Sequence, residues 1–480
     1  MQTFGNYING EWVTAGDTFE DRNPANTDEV VGLFIKGTAA DMDRAAEAAA
    51  EAFPKWSAMP APNRANILFK AAELLDSRFE AIAAEMTREE GKTLPEAKGE
   101  TRRAINILKY FAGEGARMGG HVVPSERDRV HMFAIRKPIG VVGLITPWNF
   151  PIAIPCWKLA PALIAGNTVV LKPASVSPLS AWRLVEALHD AGIPKGVVNF
   201  VAGSGSTLGA ALINAKPVKA ISFTGSDKIG KWIHAEASKR MLRIQLEMGG
   251  KNPTIVLKDC DFNAAVENVV NAAFFSTGQK CTATSRAIVE DEIYDKFVAA
   301  LVERTKKLKV GNGLEAGIDI GPAVDEAALQ SILDYIEVGK KEAGAPLIGG
   351  NRLTGGAYDK GYFVEPTIFA NVTEDMRIAK EEIFGPVLVV MRASSFEDAM
   401  RIANGSQYGL SASVQTSNIS RVFDFVYGME AGLLTINLPS AGVEYQLPFG
   451  GTKDSSFGPK EQGPAAFDFY SDYKTIYLKY

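Results

Sequence analysis

Val141-Val-Gly-Leu-Ile145 runs straight into Thr146-Pro-Trp-Asn-Phe-Pro151, and the pattern returns at Thr168-Val-Val-Leu-Lys172-Pro-Ala-Ser175. In each case a short apolar, β-branched run stops at turn-forming or polar residues. Two more such runs follow, Val197–Val201 and Ala220–Phe223. Helical patterns separate them, near Cys156–Ala165, Pro178–Ala191, Thr207–Asn214 and Lys228–Ser238. Near-continuous apolar strands alternating with helices predict a parallel sheet covered on both faces, so the fold class is α/β. Ligands of such sheets bind outside the carboxyl ends of the strands. The residues that end these strands are therefore the first candidates for function.

Working outward, residues 5–35 mix short apolar runs with Asn9-Gly10 and Asn23-Pro24, which predicts small strands wrapping a larger body. Asp41–Glu89 is helical in pattern, with Ile67, Leu68, Ala71, Leu74, Leu75, Phe79, Ile82 and Met86 at three- and four-residue spacing. A further helix is predicted from Glu96 to about Met118. Residues 121–137 read as an extended arm. A second alternating region runs from Pro253–Leu257 to about Pro448, with helices at Asn263–Phe275, Ile293–Leu308 and Glu326–Ala343. The tail Tyr473–Tyr480 alternates like an exposed strand that needs a sheet edge, from its own chain or from another subunit. No internal repeat or low-complexity segment interrupts the chain.

The chain has 480 residues, enough for about three domains with cores of their own. Lys and Arg number 51 and Asp and Glu 56, a net charge of −5, which argues against a dedicated nucleic-acid binder. Only three cysteines occur, Cys156, Cys260 and Cys281, with no CxxC pair. That set fits neither a disulfide framework nor a structural zinc site, so no metal is expected and a reducing, cytoplasmic compartment is. The first residues lack a signal-peptide pattern, and no stretch approaches the ~20 apolar residues of a membrane span.

Cys281 lies in Gly278-Gln-Lys-Cys-Thr-Ala-Thr-Ser-Arg286, where Lys280 and Arg286 are placed to favour a thiolate nucleophile. The competing reading is a buried structural cysteine, which Cys156 and Cys260 also receive. Glu247, in Gln245-Leu-Glu-Met-Gly-Gly250, closes an apolar strand, where desolvation would tune it as a general base. It also reads as a loop or cap carboxylate. Asn149 at the end of the first strand is either an amide donor to an oxyanion or a turn residue. Lys172 suits a nucleotide ribose or phosphate, or points to solvent. Phe223-Thr-Gly-Ser-Asp-Lys-Ile-Gly230 joins a strand to a helix, and Gly225, Ser226 and Gly230 would let backbone N–H groups approach a phosphate. Gly203-Ser-Gly205 with Gly209 misses the dinucleotide spacing by one residue and is a loop. In Lys380-Glu-Glu-Ile-Phe-Gly-Pro386, Glu382 is placed to accept from ribose hydroxyls and Phe384 to pack on a planar ring, or the segment is a capped loop.

Taken in order, Thr146–Pro151, Phe223–Ser226, Leu246–Gly250, Gly278–Cys281, Glu381–Pro386 and Pro448-Phe-Gly-Gly451 resemble the NAD(P)-dependent aldehyde dehydrogenase superfamily along nearly the whole chain. The resemblance implies a Rossmann-type cofactor domain (1–118 and 138–248), an α/β catalytic domain (249–450) and a small β oligomerisation element (119–137 and 451–480). It implies that Cys281 attacks the aldehyde, that Asn149 and the Cys281 N–H hold the oxyanion, and that Glu247 activates the water that hydrolyses the thioester left after hydride transfer. Thr146, Trp148, Lys172, Ser175, Gly225, Ser226, Glu382 and Phe384 then fall to the cofactor. A homodimer or homotetramer with a small-molecule aldehyde substrate is implied, with neither nucleic acid nor membrane as partner.

Two departures from the family pattern stand out. Many members carry an acid three residues after the lysine; here it is Ser175, which removes repulsion against a 2′-phosphate and favours NADP, with NAD also possible. After Gly451 the usual Lys-x-Ser-Gly reads Lys453-Asp-Ser-Ser456. The family alignment places Arg103 in the substrate tunnel, with Phe150, Trp157 and Phe449 as its aromatic walls. An arginine there calls for an anionic substrate, a semialdehyde with a distal carboxylate, unless it is simply a surface residue of a helix. The segment Asn437–Gly451 with its Lys-Asp-Ser-Ser sequel resembles the bacterial α-ketoglutaric (2,5-dioxovalerate) semialdehyde dehydrogenases. The alternatives are a broad-specificity or succinic semialdehyde dehydrogenase, a coenzyme-A-acylating enzyme, a non-enzymatic binding protein and, last, a cysteine hydrolase, whose histidine partner no motif supplies.

Overall fold

Val141–Ile145 and Thr168–Lys172 lie side by side in the middle of an eight-stranded sheet. The computed structural model describes residues 2–480. From one edge the strands are Ser456–Phe457, Arg243–Glu247, Val218–Thr224, Val141–Ile145, Thr168–Lys172, Val198–Phe200, Asn6–Ile8 and Glu11–Val13. The inner five are parallel; the edge strands at both ends run antiparallel. In chain order the five read 5-4-1-2-3, the doubly wound arrangement.

Alternation along these strands explains the double covering. Val142, Leu144, Val169 and Leu171 enter one core, together with the helices Ala61–Ser77, Leu94–Glu114 and Ala153–Ala165. Val141, Ile145 and Val170 enter the other, under the helices Ala39–Ala58 and Gly205–Asn214. A period of two with both sets apolar produces the near-continuous apolar run read in the sequence.

A second sheet of six strands is parallel throughout: Thr367–Phe369, Val387–Ala393, Thr284–Glu290, Asn252–Val256, Ser411–Gln415 and Leu433–Ile436. Its own cores lie under the helices Phe262–Phe274, Tyr294–Thr305 and Glu326–Ala343. A third sheet joins His121–Val123, Val130–Pro138 and Ser471–Lys479, so the exposed tail pairs with the arm of its own chain.

The structure redraws several expected boundaries. Of residues 451–480, Ser471–Lys479 is the strand that pairs with the arm. Ser456–Phe457 pairs with the strand ending at Glu247, and Phe467, Phe469 and Tyr470 fill the core beside Ala153–Ala165. The helical pattern at 41–89 is three helices, Ala39–Ala58, Ala61–Ser77 and Phe79–Glu90, broken at Pro60 and Arg78. The helix expected to reach Met118 stops at Glu114. Among the described residues, no helix is long and apolar enough to cross a membrane.

Candidate active site

The strands Val141–Ile145 and Val218–Thr224 are neighbours in space but first and fourth in the chain order of the inner strands, so the connections that follow them part. The crevice at their carboxyl ends is where ligands of doubly wound sheets sit. A cavity of about 270 Å³ opens there, lined by Trp148, Asn149, Thr224, Gly225 and Ser226 from this sheet. Glu382, Phe384 and Cys281 close it from the opposite side, from loops that enter the amino ends of strands of the second sheet. A second cavity, about 280 Å³, is lined by Arg103, Phe150, Trp157, Lys280, Cys281 and Phe449, among others. Cys281 is the residue common to both linings.

The backbone before Cys281 is bent to bring the sulfur to that junction. Ser276, Thr277 and Gly278 take left-handed conformations, with φ of 54°, 57° and 64°. Glu96 accepts the Ser276 N–H at 2.7 Å, and Thr277 Oγ1 donates to the Gly321 carbonyl at 3.0 Å. Gly278 has no room for a side chain, since a Cβ would stand 2.2 Å from the Gly385 carbonyl oxygen. Lys280 and Arg286 do not make the thiolate. The Arg286 guanidinium is spent on the carbonyls of Lys251, Ile402 and Ala403, and Lys280 Nζ donates to Asn271 O at 3.3 Å. Burial dominates instead, with Glu247 and Glu382 adding to it, and the thiol is pushed up to about 12. In this state Cys281 is a thiol that must lose its proton on attack.

Asn149 is buried, and its Nδ2 donates to Gln279 O at 3.0 Å, two residues before Cys281. The second N–H of that amide remains to serve an oxygen beside the sulfur. The Asn149 backbone carbonyl accepts from Lys92 Nζ at 2.8 Å. Lys92 also pairs with Glu100, whose other oxygen takes the Ile152 and Ala153 N–H groups at 3.1 Å, at the start of the helix Ala153–Ala165. This buried Lys92–Glu100 pair fixes the turn that presents Asn149. Sequence reasoning missed it, because its partners lie 52 and 57 residues away.

Glu247 ends its strand as expected, 2% exposed, but it lines neither cavity. Burial and the facing Glu461 raise its carboxyl well above the ordinary range; the Ser456 hydroxyl, Lys158 and Lys460 oppose them. Glu461 is itself held by Lys158 and by Trp157 Nε1 at 2.8 Å.

The first cavity has the features a dinucleotide needs. Thr224 Oγ1 lines it buried and without a hydrogen-bond partner. Thr146 Oγ1, at the neighbouring strand end, is likewise unpartnered. Lys172 ends its strand 5% exposed, and burial lowers its amine to about 8. Ser226 precedes the first turn of the helix Asp227–Ser238, whose free N–H groups suit a pyrophosphate. A Cβ on Gly249 would stand 2.4 Å from Glu382 Oε2, so glycine there keeps that carboxylate in the crevice. Glu382 accepts the Gly250 N–H at 2.9 Å, and burial raises it to about 7. Trp148 and Phe384 meet edge to face, with centroids 5.4 Å apart. These residues fit a nicotinamide dinucleotide. Ser175 is half-buried and, like Thr146 and Lys172, outside the cavity lining.

In the second cavity Arg103 is not a free surface residue. Its Nη1 donates to the Val443 carbonyl, its Nη2 to Gln462 Oε1 at 3.4 Å, and its guanidinium lies 5.8 Å from the Trp157 ring centroid. Its Nε–H is buried without a partner. Trp157 and Phe449 pack at 5.4 Å, and Phe150 lies under Lys92. Lys280 adds a second cation to the wall, one that the sequence reading gave only to the thiol. Among the described residues, no three His, Cys, Asp or Glu gather as a metal site.

Residues 12–476 match the model of the aldehyde dehydrogenase family. The chain is 50% identical to the α-ketoglutaric semialdehyde dehydrogenase of Bacillus subtilis over 481 residues, covering 100% of this chain and 99% of that protein. It is 45% identical to the 2,5-dioxopentanoate dehydrogenase of Saccharolobus solfataricus, covering 97% and 98%. Its fold is similar to that of the crystal structure of the Staphylococcus aureus betaine aldehyde dehydrogenase in complex with NAD+, with a TM-score of 0.96 and 36% identity over 99% of this chain and 94% of that one.

Proposed function

The chain belongs to the aldehyde dehydrogenase family, and from that premise we propose that it oxidises a semialdehyde bearing a distal carboxylate, of the α-ketoglutaric semialdehyde type, to the corresponding diacid. The observation that carries the reading is Cys281, the one side chain shared by a crevice fit for a dinucleotide and an aromatic cavity holding Arg103.

The aldehyde enters the second cavity with its carboxylate toward Arg103, whose buried Nε–H lacks a partner. Cys281 Sγ attacks the carbonyl carbon, and its proton passes to solvent water as the C–S bond forms. The oxygen of the tetrahedral adduct takes the free N–H of Asn149 and the backbone N–H of Cys281. A nicotinamide cofactor, when bound, supplies the hydride acceptor that turns this adduct into a thioester. Thr146, Trp148, Lys172, Gly225, Ser226, Glu382 and Phe384 would hold it, and Ser175 would bear on which dinucleotide is preferred. Glu247 then takes a proton from water, the water oxygen bonds the acyl carbon, and the C–S bond breaks to return the sulfur. A coenzyme-A-acylating enzyme has no use for such a base, which disfavours that alternative.

NADP is the proposed preference, because Ser175 places no acid against a 2′-phosphate. The three unpaired cysteines support a reducing, cytoplasmic compartment. The proposed assembly is a homodimer or homotetramer built on the third sheet, which exposes Val122, Val123, Tyr477 and Leu478. The deciding experiment is kcat/KM for a panel of semialdehydes and neutral aldehydes of matched length, with NAD and NADP in parallel. A neutral aldehyde preferred tenfold over every carboxylate-bearing one would overturn the substrate assignment.

A further inference from the structure

Ser456 stands where the resembling sequences usually carry glycine, and its side chain meets Glu247. We propose that Ser456 is a positioning residue for thioester hydrolysis: its hydroxyl holds Glu247 retracted at the sheet edge, from where it turns to Cys281 as the base. The proposal rests on the reading of Glu247 as that base.

The contact is built into the sheet. Ser456 and Glu247 are direct cross-strand partners in the antiparallel pairing at the sheet edge. Ser456 Oγ lies 2.5 Å from Glu247 Oε2, and the Gly451 N–H donates to the same Oγ at 2.6 Å. A hydroxyl has one proton. With a backbone N–H directed at its lone pair, that proton is aimed at Glu247. The bond therefore favours the carboxylate over the acid. Oε1 rests against Gly450, where a Cβ would stand 2.7 Å from it.

The surrounding charges give this one hydroxyl its leverage. Glu461 faces Glu247 and disfavours its ionisation, as burial does; Lys158 and Lys460 favour it from nearby. Both lysines are engaged elsewhere, Lys158 with Glu461 and Ser222, Lys460 with the Gly451 carbonyl. Among the described residues, Ser456 is the one hydrogen-bond donor to the Glu247 carboxyl. Burial first, and then repulsion between the charged forms of Cys281 and Glu247, raises the thiol. Glu247 lines neither cavity, so it must leave Ser456 to reach water at the thioester.

The test follows the acyl-enzyme itself. Aldehyde and cofactor are mixed with enzyme, quenched at intervals, and acylated Cys281 is counted by intact mass across about pH 5–9. Ser456→Ala and Ser456→Gly are expected to move the acid limb of acyl-enzyme decay up by about one unit, a decay about tenfold slower on the acid side. The preceding burst of reduced cofactor keeps its rate constant, and Ser456→Thr, which restores the hydroxyl, restores the limb. If Ser456→Ala does not fold, Ser456→Gly carries the comparison, since glycine is the residue usual at this place. Limbs that superimpose with and without the hydroxyl overturn the proposal, as does a Ser456→Thr limb that stays displaced. Glu247→Gln in the same assay tests the underlying reading separately: acyl-enzyme must persist, and its decay at the wild-type rate removes Glu247 as the base and the proposal with it.

Discussion

Arg103→Ala separates a carboxylate clamp from a structural prop. In the folded chain the guanidinium already spends two donors, on the Val443 carbonyl and on Gln462. What remains for a substrate is the buried, unpartnered Nε–H and the positive charge. One charge-assisted hydrogen bond to a carboxylate is worth about 1.5–3 kcal/mol. Its loss from the transition state lowers kcat/KM by about 10- to 150-fold. A neutral aldehyde of the same length presents nothing to the guanidinium and falls by no more than about threefold by the same reasoning. Arg103→Lys keeps a charge without the planar fork and falls between the two for the semialdehyde. The assay is kcat/KM for both substrates at fixed cofactor, with melting temperature recorded for each variant. If Arg103 only props the Val443 segment, its removal disorders the cavity wall for every substrate alike. Equal losses on the semialdehyde and the neutral aldehyde refute the clamp.

Cys281→Ala leaves no nucleophile, so reduced-cofactor formation falls below detection; measurable turnover with any aldehyde of the panel would place the chemistry elsewhere. Glu247→Gln keeps the Ser456 contact but removes the base, so stopped-flow absorbance shows one equivalent of reduced cofactor per site and then a stall. Ser175→Asp introduces an acceptor for a ribose 2′-hydroxyl and a charge against a 2′-phosphate, which lowers the NADP-to-NAD ratio of kcat/KM by about tenfold. A wild-type preference for NAD of about tenfold would already sink the NADP assignment. Val122→Asp with Leu478→Asp charges the exposed face of the third sheet, and light scattering should report a smaller assembly than wild type; an unchanged mass moves the contact to another face.

The legible part of this chain is the part whose physics is local. Val141–Ile145 declared itself because its two alternating faces are both apolar, and the helix Glu326–Ala343 because its periodicity is carried by neighbours in sequence. Asn149, Cys281, Glu382 and Phe384 could be singled out because each sits in a short phrase that ends or precedes a strand, and the structure brings all four to one crevice. Local phrases could not say which charges pair. Lys280 and Arg286 flank the thiol in sequence, yet burial sets its proton affinity while Arg286 turns to three backbone carbonyls. Lys92 and Glu100 carry no motif, and their grip on Asn149 and on the next helix exists only after residues some fifty positions apart are packed together. Ser456 is the sharpest case. As a sequence departure it meant only a missing glycine. The antiparallel register sets it opposite Glu247, and a one-residue slip would turn its side chain to the other face of the sheet. The contact between Ser456 and the carboxylate proposed as the base is therefore set by strand pairing, a long-range property that no motif around either residue encodes.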